Sequence, residues 1–378
     1  SARDCLDLQT GAKAMEKAAR DLRLAVGVDA GRFSYEQLQE RPEFAPALKG
    51  LKEEVAKFAA ILETQAQRAE GIEKCWQRAL ELQQAFAQWQ NLADLGYVRW
   101  GEAFTQSLQL NSTPLKVADI FRKQMGGHPR AWIFTSATLA VQGKFHHYCA
   151  ELGLGDPDSA CWHSPFDYGE QAVLYAPLGM PDPNAWNYTD TVVEAAWPAV
   201  KAAKGGAFFL CTSLRAMRRT HELLKAKIED EGLDIPLLVQ GEGSKNDLLQ
   251  RFRSHGASIL VGSQSFWEGV DVRGEALSLV VIDKIPFAPP DDPVLSARIE
   301  QMKREGRNAF IEYQLPRAVI NVKQGAGRLI RDENDKGVLM ICDPRLISKP
   351  YGRRVWQSLP PMKRTRELQV VLDFFAKR

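Results

Sequence analysis

The sequence has no Gly-x-x-x-x-Gly-Lys-Ser/Thr loop and no Asp-Glu-x-His box, so it offers neither a glycine-rich cradle for a triphosphate nor the carboxylate that would hold its magnesium ion. Gly241-Glu242-Gly243-Ser244-Lys245 imitates the cradle, but its spacing is wrong and Lys245 opens a helical pattern. There is no Cys-x-x-Cys pair and no His-Cys cluster at metal-ligand spacing. The six cysteines, at 5, 75, 149, 161, 211 and 342, therefore read as free thiols of a reducing cytosol, and no metal site is expected. His146 and His147 point about 100° apart on a helix, the wrong geometry for one ion. No apolar run reaches about 18 residues and no charged-then-apolar leader opens the chain, so no membrane partner and a cytoplasmic location are expected. Internal repeats and low-complexity segments are also lacking. Net charge is nearly absent at +2, so any footprint for nucleic acid must be local. Lys349, Arg353, Arg354, Lys363, Arg364 and Arg366, against Glu367 alone, form one candidate footprint, with a solvated basic surface as the alternative.

With 378 residues, 45% hydrophobic and 25% charged, the chain has room for two to three globular domains. Ala14, Ala18, Leu22 and Leu24 have amphipathic spacing over residues 11 to 24. Leu51, Val55, Phe58, Leu62, Ala69, Ile72, Trp76, Ala79 and Phe86 then step by three and four, which predicts one long helix or two broken near Gly71. Such helices either embrace a strand of nucleic acid or form a bundle that merely packs. Residues 97–100 and 107–110 read as a hairpin, and Thr113-Pro114 as the cap and first residue of a helix. Ala131 to Phe134 has the form of a short buried parallel strand that delivers Thr135-Ser136-Ala137-Thr138 to its carboxyl end. After Gly- and Pro-rich linker stretches at 153–165 and 177–183, strands at 207–212, 236–239, 258–263, 277–283 and 337–342 alternate with helices, the last of them over 308–331. Repeated βα units of this kind predict a parallel sheet with helices on both faces.

The chemistry-bearing residues follow strands or end a helix. Thr212-Ser213 precede a helix rich in Arg215, Arg218 and Arg219, where a capping hydroxyl and free amides can receive a backbone phosphate. Ser263-Gln264 open a loop able to wrap a sugar-phosphate chain, and Trp267 either packs in the core or stacks on a base. Glu268 and Asp271 flank Gly269 and suit a ribose hydroxyl, a metal-bound water or an arginine across a cleft. Asp283-Lys284-Ile285-Pro286-Phe287 leads into a stiff proline loop, a wedge or a rigid connector. Gln324-Gly325-Ala326-Gly327-Arg328-Leu329-Ile330-Arg331 places two arginines three residues apart, on one face if the helix continues, and Gly327 leaves room for a bulky charged group. Physical chemistry alone does not rank the two arginines.

Gln324 to Arg331 resembles the sixth signature of superfamily 2 helicases. Thr135 to Leu139 resembles the third, Phe208 to Ser213 the fourth and Gly262 to Gly274 the fifth, in the order that superfamily has them. The wording of 265–274, 283–287 and 324–331 resembles the DinG and XPD branch, most closely the DinG/YoaA type, tightly from Trp132 onward. The resemblance implies an α/β fold: a RecA-like parallel-sheet motor domain (helicase domain 2) over 166–378, the end of the first motor domain over 113–165, and an all-helical, arch-like insertion over 1–112. It implies an ATP-dependent DNA helicase travelling 5′ to 3′, with ATP and Mg²⁺ as cofactors and single-stranded, forked or flapped DNA as partner. Arg331 becomes the arginine finger, Arg328 a second phosphate contact and Gln324 an orienting residue. Gly269, Asp271, Gly327 and Glu268 fall on the nucleotide side. Ser136, Ala137 and Thr138 couple nucleotide state to grip, and Thr212, Ser213, Ser263, Gln264 and Arg215 contact DNA. Many relatives hold an iron-sulfur cluster with four cysteines upstream of this segment, and this chain carries none of those ligands.

In the family the cradle and acidic box lie upstream of the arch, so the chain is expected to be a carboxy-terminal fragment. A nucleic-acid-binding scaffold without catalysis is the alternative, and a nucleotide-sugar transferase a distant third that leaves the arginine pair unexplained. The chain alone is expected to hydrolyse no ATP at a useful rate; appreciable magnesium-dependent turnover in a phosphate-release assay of the isolated chain would overturn this.

Overall fold

The computed structural model describes residues 5–27, 30–91, 96–127, 130–141, 143–162, 164–263, 266 and 276–377. The chain divides into two compact units, one of residues 1–127 with 288–309, the other of 128–287 with 310–378. The helix at 293–304, read from sequence as part of the second βα series, thus belongs with the first unit.

The first unit is built on α1 (Leu6–Ala25), α3 (Phe44–Gln65) and α4 (Glu70–Gln90). The apolar seam resolves into two helices, parted by a tight turn at Ala66–Arg68 just before Gly71. Leu51, Val55, Leu62, Ile72 and Ala79 are buried as their spacing requires, whereas Leu24 faces solvent. The hairpin forms as β2 (Tyr97–Ala103) and β3 (Leu108–Pro114), and β1 (Gly31–Ser34) pairs antiparallel with β2 to make a three-stranded sheet. The helix start expected at Thr113-Pro114 is not there. β3 runs through Pro114, the Thr113 hydroxyl accepts from Trp100 Nε1 at 2.9 Å, and α5 begins at Val117 and ends at Met125. Strand pairing therefore outweighed a local capping signal. The short α2 (Tyr35–Gln39) starts with a Ser34/Gln37 capping box, and the Arg99 guanidinium lies 3.5 Å from the Tyr35 ring centroid. The 288–309 segment is tied to this unit by Asp292 to Arg32 at 2.8 Å and Glu305 to Lys116 at 2.9 Å.

The second unit is a seven-stranded, wholly parallel sheet. Its strands are β4 (Ala172–Tyr175), β5 (Ala207–Cys211), β6 (Leu237–Val239), β7 (Ile259–Ser263), β8 (Leu279–Ile282), β9 (Gly337–Ile341) and β10 (Lys363–Thr365), in the spatial order β10-β4-β9-β8-β5-β7-β6. The strands predicted at 207, 236, 258, 277 and 337 all form; β4 and β10 are short and were not anticipated. Alternation sends Phe208 and Leu210 to one face and Ala207, Phe209 and Cys211 to the other. The first face is covered by α10 (Lys245–His255), α12 (Leu315–Ala326) and α14 (Gly352–Ser358). The second is covered by α8 (Tyr188–Ala202), α9 (Leu214–Asp230) and α15 (Leu368–Ala376). The short helices α6 (His146–Leu152), α7 (Tyr168–Gln171) and α13 (Arg345–Ser348) complete this unit, and α11 (Pro293–Arg304) completes the first. None of the described helices is long and apolar enough to cross a membrane.

The strand expected at Ala131 to Phe134 is not formed. These residues have no ladder partner among those described, and Ile133 is 84% exposed. A parallel strand owes its stability to neighbours on the sheet, and a lone segment exposes its backbone to water instead.

Gly337, the first residue of β9, is fixed by crowding. A Cβ there would stand 2.5 Å from Leu329 Cδ1 and 2.6 Å from the Ser278 carbonyl oxygen, and the second contact is backbone that cannot rotate away. Gly337→Ala is therefore expected to destabilise the chain by about 1–3 kcal/mol. Gly50→Ala, in α3 with nothing within 4 Å of the new methyl, is expected to be neutral or stabilising. Urea denaturation midpoints at constant m-value check both.

Candidate functional site

Because all seven strands run one way, the loops sort onto two edges of the sheet, and the sequence-selected residues are divided between them. At the carboxyl edge, Asp283 follows β8 and is 5% exposed. Its carboxylate accepts from Thr212 N at 3.0 Å, Thr212 Oγ1 at 3.2 Å and Lys284 N at 2.6 Å. Burial pushes its pKa up to about 6, restrained by those Thr212 and Lys284 donors. The Tyr188 hydroxyl donates to the Asp283 carbonyl at 2.8 Å, and the Lys284 ammonium donates to the Pro183 carbonyl. Asp343, after β9, accepts from Ile285 N at 2.8 Å and holds Arg345 through its Nε at 2.9 Å and Nη2 at 2.6 Å. The Asp283-to-Pro286 turn is thereby fixed from both sides as a rigid connector.

The Ser213 hydroxyl accepts from Ala216 N at 3.1 Å and caps α9, while Arg215 is exposed in the first turn of that helix. The Ser263 hydroxyl donates to Gln240 Oε1 at 2.8 Å, and its backbone N–H reaches the same oxygen at 2.7 Å. Gln240, not singled out from sequence, thus joins the ends of β6 and β7. Gln264, Trp267, Glu268, Gly269 and Asp271 lie outside the described residues.

At the amino edge lies the loop between α12 and β9. The helix expected to reach residue 331 ends at Ala326, after a π-helical turn over Phe310–Gln314, so Arg328 and Arg331 do not share a helix face. Two causes act together. Gly325 and Gly327 weaken the last turn, and Leu329 and Ile330 draw the chain into the core at 1% and 3% exposure. Gln324 stays on the helix, and Gly327 to Leu329 form tight turns on its end. Arg328 and Arg331 are both half-buried. The Asp335 carboxylate accepts from Arg331 N at 2.7 Å and Asp332 N at 2.9 Å.

The Ser136-to-Thr138 stretch is an exposed turn in which Ser136 Oγ accepts from Thr138 N at 3.1 Å. Two residues on, the Ala140 carbonyl accepts from Lys323 Nζ at 2.8 Å, which brings this stretch to the last turn of α12, beside Gln324. Burial holds the Lys323 amine below its usual range. Among the described residues no group of three or more His, Cys, Asp or Glu is placed to hold a metal ion.

A doubly covered parallel sheet, hydroxyl- and carboxylate-bearing strand ends and an arginine-bearing loop define the class: a RecA-like helicase motor domain. Residues 196–362 match the family of helicase C-terminal domains. The chain is 40% identical over 374 residues to a protein of Escherichia coli K12 named ATP-dependent DNA helicase YoaA, covering 99% of this chain and 58% of the relative. It is 38% identical over 377 residues to the Haemophilus influenzae protein of the same name, covering 100% and 58%. The fold matches the XPD apo structure with a TM-score of 0.58 at 16% identity, over 94% of this chain and 69% of that one. The chain is a helicase C-terminal region of the DinG/YoaA type, XPD-like in fold. It spans 58% of the length of both YoaA relatives.

Asp283 makes the carboxyl edge pH-sensitive. Its folded pKa is raised above that of the unfolded chain, so the native state keeps an extra proton between about pH 4 and about pH 6, and stability falls as pH rises through that window. Measured against Asp283→Asn, which cannot titrate, the wild-type chain is expected to lose about 2–3 kcal/mol of relative stability between those limits. A pH-independent difference in denaturation free energy would contradict this.

Proposed function

We propose that this chain supplies the arch and the second motor half of an ATP-dependent DNA helicase of the DinG/YoaA type, which couples ATP hydrolysis to movement along single-stranded DNA and to duplex unwinding. The observation that carries the reading is the α12–β9 loop, whose backbone is pinned at Leu329, Ile330 and Asp335 on both sides of the Arg331 side chain. A guanidinium held by so fixed a backbone is suited to charge that develops on a transferring phosphoryl group. Arg331 takes that role, Arg328 makes a second phosphate contact, and Gln324 orients the reacting groups. ATP with Mg²⁺, when bound, would supply the γ-phosphoryl group, which passes to water as ADP leaves; among the described residues no group of three or more His, Cys, Asp or Glu is placed to hold the metal ion.

Motion is relayed by the contact of Lys323 with Ala140, which links the Ser136-Ala137-Thr138 turn to the arginine-bearing helix end. At the opposite edge, the amides opening α9 with Thr212, Ser213 and Arg215, together with Ser263, receive the strand backbone. Their hydroxyls are engaged with Asp283, the helix cap and Gln240, so they act by shaping a rigid amide-lined edge. Family resemblance supplies the 5′ to 3′ direction and the forked or flapped substrates. The exposed Trp132 and Ile133 support a place for 131–134 as a strand of the first motor domain.

In the full-length polypeptide, Arg331→Ala is expected to lower kcat for DNA-stimulated ATP hydrolysis by roughly 10³-fold or more, leaving single-strand affinity within about twofold. Turnover within a few fold of the parent would refute the assignment.

A further inference from the structure

We propose that Gln171 is a positioning residue for Arg331, acting through the backbone of the loop that carries it. The inference rests on the reading of Arg331 as a charge-stabilising arginine. β4 and β9 pair in register with Ala172 beside Gly337. Gln171, one residue before Ala172, is therefore delivered to the foot of the α12–β9 loop. It is 6% exposed, and its Nε2 donates to the carbonyls of Asp332 at 3.0 Å, Glu333 at 2.9 Å and Asp335 at 3.0 Å. An amide nitrogen carries two hydrogens, so one of them is shared between two of the three acceptors.

The loop closes around this donor. Three carbonyl dipoles converging at a water-poor point repel one another unless a donor stands between them. Asp335 fastens the other side of the same turn through the N–H groups of Arg331 and Asp332. Leu329 and Ile330 anchor the approach at 1% and 3% exposure. With the Gln171 strap removed, the anchor before Arg331 persists but the turn after it gains freedom. The expected consequence is a guanidinium that still meets bound nucleotide but is misplaced when charge develops, a loss in kcat rather than in KM.

Four variants of the full-length polypeptide, assayed with ATP and oligothymidylate, test this. Gln171→Met keeps the volume and removes the donor; it is expected to lower kcat about tenfold with KM for ATP within about twofold. Gln171→Glu places a carboxylate among three carbonyls, which raises its pKa. Its kcat relative to wild type is therefore expected to climb as pH falls from about 8 to about 6, where the protonated acid can again donate. Arg331→Ala is expected to lose roughly 10³-fold. Adding Gln171→Met to it is expected to cause no further loss, because the two act as one unit. Wild-type kcat in Gln171→Met beside a dead Arg331→Ala overturns the positioning role alone, as does a further tenfold loss in the double variant. An active Arg331→Ala overturns the Arg331 reading itself. If Gln171→Met fails to fold, a pH-independent ratio for Gln171→Glu overturns the proposal.

Discussion

A parallel sheet covered by helices on both faces has room for polar chemistry only at its two edges, and that restriction organises the second unit. Phe208, Leu210, Val280 and Ile282 on one face and Phe209, Val261, Val281 and Met340 on the other fill both faces with side chains that cannot hold a charge. Every group able to meet a phosphate is therefore pushed to a strand end or to the loop that feeds the next strand. The two kinds of loop are separated by the length of a strand, about 17 Å for five residues. The arginine loop and the Thr212–Ser213 edge can thus meet different ligands while sharing one rigid core.

Buried carboxylates do similar work at both edges. Asp283, Asp343 and Asp335 are each under a tenth exposed, and each accepts backbone N–H groups from a turn. An ionised carboxylate in such a place suffers a desolvation penalty, which charge-assisted hydrogen bonds offset. The return is a turn with one conformation. Asp283 shows the balance openly, since burial lifts its pKa to about 6 while Thr212 and Lys284 restrain the rise. Gln171 performs the complementary task with a neutral donor, satisfying carbonyls where the aspartates satisfy N–H groups.

The two units use different physics. The first relies on helical seams closed by leucines and by the edge-to-face aromatic group of Tyr35, Phe44 and Trp89, with Arg99 over the Tyr35 and Trp89 rings. The second unit is interrupted at Phe287 and resumes at Phe310, and those two rings pack 5.6 Å apart with Tyr351 against both. This cluster seals the point at which the chain leaves and re-enters the sheet unit.

The sequence by itself determined the parallel sheet, five of its seven strands and the residues that carry charge and hydroxyl groups, because hydrophobic period and turn chemistry are local properties. Ordered signatures from Thr135 to Arg331 were legible for the same reason. Where those residues stand was decided only by tertiary structure. Arg328 and Arg331 read as neighbours on a helix, yet burial of Leu329 and Ile330 and the weak Gly325–Gly327 turn end that helix first. The Thr113 cap lost to strand pairing, and the Ala131–Phe134 strand found no partner among the described residues. Gln171, Gln240 and Asp335 carried no sequence signal at all. The roles of Gln171 and Gln240 come from β4 lying beside β9 and β6 beside β7, pairings between residues far apart in the chain that no local pattern encodes.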